Sequence, residues 1–344
     1  MDPISHAVIG SAVAALAPHG TQPAAVWGAL LGSEIPDMDV VVRAWSGYAG
    51  YLKEHRGVTH GVLSLVLEAA AITAALRLVW PGSAWGTVFS FTLLGCLSHV
   101  AFDCGNDYGT KAFWPFVTRR VALDIIPIVD LWVLGTIAAG WIVNAVWAGH
   151  RQAVFGVVWL VLAAYVAARM ALRRKAWHLV AGHFDLKEPC GEFVPCGPGW
   201  QEEQVTIHPT LLSLTCWRYV VRVRGAFLTG RVWPLRGQVG RATRARNERD
   251  KVVDASLKAQ LVGTFARWAR RPRVQVDRIN NLYRVSWADA RYEFSEEFSP
   301  FSVYAWLDDN LRLVDEGFAP RRPGAAGRQA LLRRLHEEMG RPDL

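Results

Sequence analysis

Apolar and polar positions divide the chain into two halves of different character. Residues 4–17 and 24–33 form short apolar segments, below the roughly 20 residues that a bilayer-spanning helix needs. Four longer apolar runs follow, at about 61–80, 85–104, 123–147 and 153–172. Each is long enough to cross a bilayer. A soluble helix of this length carries a charged outer face, and these runs have none. The competing reading, a large soluble helical core, rests on the interruptions at Glu68, His99, Asp103, Asp124 and Asp130. The two short segments read as helices that are re-entrant or packed against the bundle.

From about residue 176 the pattern changes. Prolines and glycines at 189, 195, 197, 198, 199 and 209 predict an irregular linker. Residues from Trp217 to Trp233 alternate, with breaks at Gly225 and Gly230, and predict a hairpin. Residues 247–269 have helical spacing, and Val274–Val276, Leu282–Phe294 and Ser302–Leu307 read as further strands. The predicted fold is mainly α. It comprises a polytopic helical membrane domain over 1–175, with about four spans plus the short N-terminal helices, and a linker over 176–210. A small cytoplasmic α+β domain follows over 211–320, then a basic tail over 321–344 that is helical in part.

Charge follows the same division. Residues 1–172 hold nine Lys/Arg and ten Asp/Glu, whereas the remainder carries a net charge of +9. A neutral apolar half joined to a basic polar half fits a membrane domain followed by a soluble one. The basic surface reads as a solvated face or as one drawn to anionic lipid headgroups. Nucleic acid is not expected as a partner, since no recognised motif for it is present. The five cysteines are scattered, and Cys190 and Cys196 fit no common zinc spacing; all read as reduced packing residues. Met1-Asp2-Pro3 lacks the basic start of a cleaved signal peptide and is expected to be retained. Lys/Arg cluster before the first span, in the 105–122 loop and after the last span. By the positive-inside rule this predicts a multi-pass protein of the cytoplasmic (inner) membrane with both termini in the cytoplasm.

That orientation brings widely separated polar groups to one leaflet. The stretch from Glu34 to His60 holds Glu34, Asp37, Asp39, His55 and His60. His99 and Asp103 sit near the cytoplasmic end of the second span, four apart and so on one helical face. Asp124 begins the third span, and His6 reaches the same level if the first short helix starts there. Carboxylates and imidazoles are costly in apolar surroundings unless paired or bound to metal, and together they are the usual ligands of zinc and similar ions. The candidate ligands are His6, Asp37, Asp39, His55, His60, His99 and Asp103. Pro36 predicts that Asp37 and Asp39 project from a turn, and Thr59 is a candidate N-cap. Asp37 and Asp39 double as candidate catalytic groups, as a bridging carboxylate or general base. Arg56 and Asp124 are candidate substrate contacts. The expected cofactor is a divalent metal, zinc or manganese, as one ion or a pair. The plainer readings are a satisfied His99–Asp103 pair and a solvated loop at His55-Arg56. Asp130 reads as structural, Glu68 as a group that supports the ligands from behind or as a helix–helix hydrogen bond, Asn106 as lining the entrance or simply loop, and His178, His183 and His208 as ordinary polar residues.

The same segments carry a family resemblance. Asp2-Pro3-Ile4-Ser5-His6, Glu34-Ile35-Pro36-Asp37-Met38-Asp39, His55-Arg56-Gly57-Val58-Thr59-His60 and His99-Val100-Ala101-Phe102-Asp103 stand in order, followed by Gly109 and Trp114-Pro115-Phe116. They resemble the YdjM-type inner-membrane, metal-dependent hydrolases. The resemblance is strongest over 1–130 and extends, in longer members, to Asp124–Asp130 and to His208-Pro209 and Trp217-Arg218. It implies a membrane location and a metal site. The expected activity is hydrolysis of an ester or phosphoester at the cytoplasmic leaflet, with membrane lipid and an amphipathic or lipid-linked substrate as partners. The alternative is a non-enzymatic membrane protein whose polar groups form a structural network or an ion pathway.

Overall fold

The computed structural model of this 344-residue chain describes residues 1–18, 20–21, 23–186, 204–247, 250–293, 299 and 301–319. His19, most of the expected linker with Cys190 and Cys196, and the expected basic tail lie outside the described residues. The described residues form two compact units, one of residues 1–41 and 54–171, the other of 42–53, 172–186 and those described between 204 and 319.

The first unit is helical. Its elements are α1 (Pro3–Ala14), α2 (Pro23–Glu34), a 3-10 segment Ile35–Val42 and a 3-10 turn Val58–His60. After these come α4 (Val62–Val79), α5 (Trp85–Gly105), α6 (Leu131–Val146) and the start of α7 (Arg151–His183). Asp2 caps α1 by accepting from the Ser5 N–H, and Pro3 enters the first turn, where its missing donor costs nothing. α2 lies against α5 along small residues. A side chain at Gly32 would strike the Thr92 carbonyl, and one at Gly95 the Ala29 carbonyl, so only glycine permits this approach. Faces of α4, α6 and α7 expose Leu67, Ile142, Val146 and Leu160, as helices in contact with lipid do.

Three helices, α4, α5 and α7, are long and apolar enough to cross a membrane. The fourth expected span, 123–147, contains 16 helical residues in α6, a length of about 24 Å at 1.5 Å per residue, below the roughly 30 Å hydrocarbon core. Asp124 therefore lies in the connection before the helix and not at its start. Asp130 is the N-cap, accepting from the Trp132 and Val133 N–H groups at 2.9 and 3.0 Å, and Tyr165 of α7 donates to its other oxygen at 2.6 Å. Thr59 does not cap α4. Gly61 precedes that helix, and the Thr59 hydroxyl lies 3.0 Å from His60 Nδ1.

The second unit is richer in strand than the alternation suggested. Helix α3 (Arg43–Glu54), interrupted at Gly47 where φ is +64°, sends Leu52 into its core and packs the Tyr48 ring against Phe318, centroids 4.2 Å apart and tilted by 54°. One antiparallel sheet holds β1 (Val205–Pro209), β2 (Trp217–Val223), β3 (Ala226–Trp233), β4 (Gln238–Val239) and β5 (Thr243–Arg246); β4 and β5 both pair with β3. The predicted 247–269 helix is two, α8 (Lys251–Ser256) and α9 (Gln260–Trp268). They pack on a meander of β6 (Pro272–Ile279), β7 (Leu282–Asp289), β8 (Ser302–Leu307) and β9 (Leu313–Phe318). Alternation on β8 buries Val303, Ala305 and Leu307 against Val262 and Phe265. Asn280 and Asn281, both at positive φ, make the two-residue β6–β7 turn, a conformation asparagine tolerates. The expected linker begins as helix, since α7 runs to His183, and ends as β1.

Candidate metal centre

Four chain segments build the polar cluster in the helical unit. α5 presents His99 and Asp103 from one face, both fully buried. α1 brings His6 into a stack on His99, with centroids 3.6 Å apart and rings 15° from parallel. The 3-10 segment that carries Pro36, Asp37 and Asp39 follows directly on α2. The His55–His60 segment turns sharply, with Arg56 at φ +55°, before the short turn that buries His60. Gly61 then packs on Trp114, and the Val62 N–H donates to the Ala112 carbonyl at 3.0 Å, which ties the segment to the loop after α5.

One oxygen or nitrogen from each of Asp37, His60, His99 and Asp103 falls within 4.8 Å of the others. His60 Nε2 and His99 Nε2 are 3.2 Å apart. Asp37 Oδ1 lies 3.5 Å from the first and 3.6 Å from the second, and Asp103 Oδ2 lies 3.4 and 3.6 Å from them. His99 Nδ1 faces the Ser33 carbonyl at 2.7 Å, which only accepts, so in the neutral ring Nδ1 carries the proton and Nε2 the lone pair. The Thr59 hydroxyl at His60 Nδ1 allows the same tautomer there. Asp37 Oδ1 and Asp103 Oδ2 are buried and accept no hydrogen bond among the described residues. Two lone pairs and two carboxylate oxygens turned on one point repel one another unless a cation lies among them. This donor set fits a divalent ion.

A second set shares Asp37. Asp37, Asp39 and His55 also offer three donors within 4.8 Å of one another. His55 Nδ1 lies 3.0 and 3.1 Å from the two Asp39 oxygens, and the Arg56 N–H donates to Asp39 Oδ2 at 2.8 Å. Burial acts to raise the Asp37 pKa, but the His60 and His99 imidazoles beside it outweigh burial and hold the carboxyl well below the usual range. Burial holds His55 below its ordinary value, against the opposing pull of Asp39. Glu34, at the end of α2, is pushed up to about 7, chiefly by burial.

The structure thus gathers Asp37, His60, His99 and Asp103 in one set and Asp37, Asp39 and His55 in the other. His6 stands beside the first set, with Nε2 3.2 Å from Asp103 Oδ1, and joins neither. The Met1 amino group contacts Asp103 Oδ1 and lies 3.0 Å from His6 Nε2. Arg56 does not reach outward as a substrate contact would. Its guanidinium is buried, with Nε 3.0 Å from Asp103 Oδ2 and one amino group donating to Asn106 Oδ1 at 2.7 Å. Asp124 is buried outside both sets. Asn106, expected at an entrance or in a loop, is fully buried and also donates to Asp103 Oδ1 at 3.3 Å. The three-residue spacing from Asp103 was the signal for it. Glu68 is half-buried, with one oxygen that has no hydrogen-bond partner among the described residues. In the other unit His208 is buried on β1, not an ordinary exposed linker residue.

Comparison with known proteins agrees with this division of the chain. Residues 1–176 match the family described as YdjM inner membrane protein, and residues 251–319 match the YfhP C-terminal alpha/beta plait domain. The chain is 26% identical over 326 residues to the uncharacterized protein YfhP of Bacillus subtilis (strain 168), covering 91% of this chain and 93% of that one. No solved structure matches significantly.

Proposed function

The chain belongs to the YdjM inner membrane protein family, and from that premise we propose that it is a metal-dependent hydrolase of esters or phosphoesters, working at the cytoplasmic leaflet. The observation that carries this reading is the convergence of His60 Nε2 and His99 Nε2 with Asp37 Oδ1 and Asp103 Oδ2 on one buried point. These four residues would hold one divalent ion, zinc or manganese. Asp37, Asp39 and His55 would hold a second, and His6 buttresses His99. Such an ion supplies a Lewis acid and acidifies a bound water.

The protein groups divide the remaining work. Asp39, oriented by the Arg56 N–H and His55, takes up at Oδ1 the proton that the attacking water gives up. Asp37 stays ionised at any working pH. Arg56 and Asn106 position Asp103 and compensate its buried charge. Glu34, near neutrality in its titration, exchanges protons at the edge of the cluster.

The topology follows from Lys/Arg placement. α4, α5 and α7 cross the membrane, α6 makes a short fourth crossing, and both termini lie in the cytoplasm. Elemental analysis of detergent-purified protein tests the reading. It requires stoichiometric zinc or manganese that is lost in His60→Ala and His99→Ala, together with metal-dependent cleavage of p-nitrophenyl esters or phosphoesters. A protein that holds no metal sinks it. The ion-pathway alternative draws on the buried, unbonded Glu68 oxygen in α4. It requires cation or proton flux into liposomes that Glu68→Gln abolishes.

A further inference from the structure

The cluster is closed on most sides. His6, His60, His99 and Asp103 have no exposed surface, and Asp39 and Arg56 almost none. Only Asp37 and His55 open outward, with side chains 15% and 17% exposed. Any substrate must therefore arrive past the residues that flank these two. Met38, which lies between Asp37 and Asp39, is 54% exposed, and Val40 and Val41 beyond it are exposed as well. The loop that clasps the His55–Val62 segment through the Ala112 carbonyl and Trp114 presents Phe113, Phe116 and Val117, with Phe116 81% exposed. None of these six residues lies in a membrane-crossing helix. Large apolar side chains on a 3-10 segment and a loop tip, where polar residues are the norm, mark an interaction surface.

The surface continues into a lipid-facing one. Val62 and Leu63 open α4 immediately after His60 and Gly61, and both are exposed, as are Val66 and Leu67 one turn on. Apolar surface thus runs from the membrane-crossing part of α4 onto the approach to the polar cluster. A water-soluble substrate would gain nothing from such an approach, whereas an acyl chain would remain in apolar surroundings along its whole length.

We propose that the site is loaded sideways from the bilayer. The substrate is an amphiphile whose ester or phosphoester head enters at Asp37 and His55. Its acyl chain lies on the rim of Met38, Val40, Val41, Phe113, Phe116 and Val117. This rests on the hydrolase reading only for the fate of the head; the seating of the chain is independent of catalysis. The test uses the full-length protein in vesicles of phosphatidylethanolamine and phosphatidylglycerol containing a phospholipid with a diazirine high on its acyl chain. After illumination, peptides covering 37–41 and 113–117 should be labelled. Val40→Asp and Phe116→Asp should each lower that labelling several-fold while leaving bound metal and the labelling of α4 and α7 unchanged. Labelling confined to the membrane-crossing helices overturns the proposal, and so does a rim that cross-links to a second copy of the chain. A protein that labels at the rim but cleaves nothing would remove the hydrolase reading and leave the lipid approach standing. One that cleaves soluble esters with an unlabelled rim would do the reverse.

Discussion

The two units bury charge in opposite ways. In the sheet unit, Asp289 is fully buried and faces Arg291, which donates from Nε to both carboxylate oxygens at 3.0 Å and from an amino group to Oδ2 at 2.7 Å. Arg273 and Glu293 form a second buried pair. Donors there meet acceptors, and each negative oxygen has a positive neighbour. In the helical unit, Arg56 and the Met1 amino group offset Asp103, yet its Oδ2 also shares one centre with Asp37 Oδ1 and two imidazole nitrogens, more acceptors than those cations match. Burial of charge is common to both and identifies neither as a site. The mismatch of donors and acceptors is what separates a structural network from a place made for a missing positive ion.

The comparison predicts opposite responses to removing a single group. Asp289→Ala removes the carboxylate to which the buried Arg291 donates three times, and should cost about 3–5 kcal/mol in the unfolding of the sheet unit. Denaturant titration followed by tryptophan fluorescence measures it. Asp37→Asn, by contrast, removes a negative charge from the centre but keeps an amide oxygen there. In metal-free protein it should cost less stability than Asp289→Ala, while abolishing stoichiometric metal. A large loss of apo-protein stability would show that Asp37 belongs to a satisfied network like that of Asp289.

Smaller effects sharpen the contrast. Asn106→Ala withdraws support from Asp103 and Arg56 without removing a ligand. Metal affinity should fall about 10- to 100-fold, as is usual for outer partners of a metal site, and competition with a chelator measures it. The weakest effect is one of pH. Burial favours neutral His55 in the folded state, so its folded pKa lies below the unfolded value of about 6.5. Its contribution is full above that value and is lost as pH falls from there through the folded pKa. His55→Asn should flatten the pH dependence of thermal stability below about pH 6.5 and leave it unchanged above.

Sequence spacing made the helical unit more legible than the sheet unit. His99 and Asp103 share a face by helical period alone, and His55-Arg56-Gly57-Val58-Thr59-His60 concentrates polar groups inside apolar sequence. Spacing says nothing of contacts across the fold. The inward turn of Arg56 onto Asp103 and Asn106, and the Tyr165 hydroxyl on Asp130, each join residues far apart in sequence. The turn at Asn280-Asn281 was present as a local signal, whereas β1 was hidden by the prolines around it. α3 gave no signal of its own because its apolar residues, Leu52 and Tyr48, find their partners in a core more than 200 positions later.

The order of the cluster along the chain sets a timetable for its birth. His6, Asp37, Asp39, His55 and His60 are made first, but no set of donors around His60 closes until α5 delivers His99 and Asp103. Gly32 and Gly95 let α5 settle tightly against α2 once it has been inserted. More than 200 residues of this sequence follow α5, and at roughly 5–20 residues per second their synthesis takes on the order of ten to fifty seconds. An ion can therefore be captured by a nascent chain still attached to its ribosome, well before the sheet unit exists.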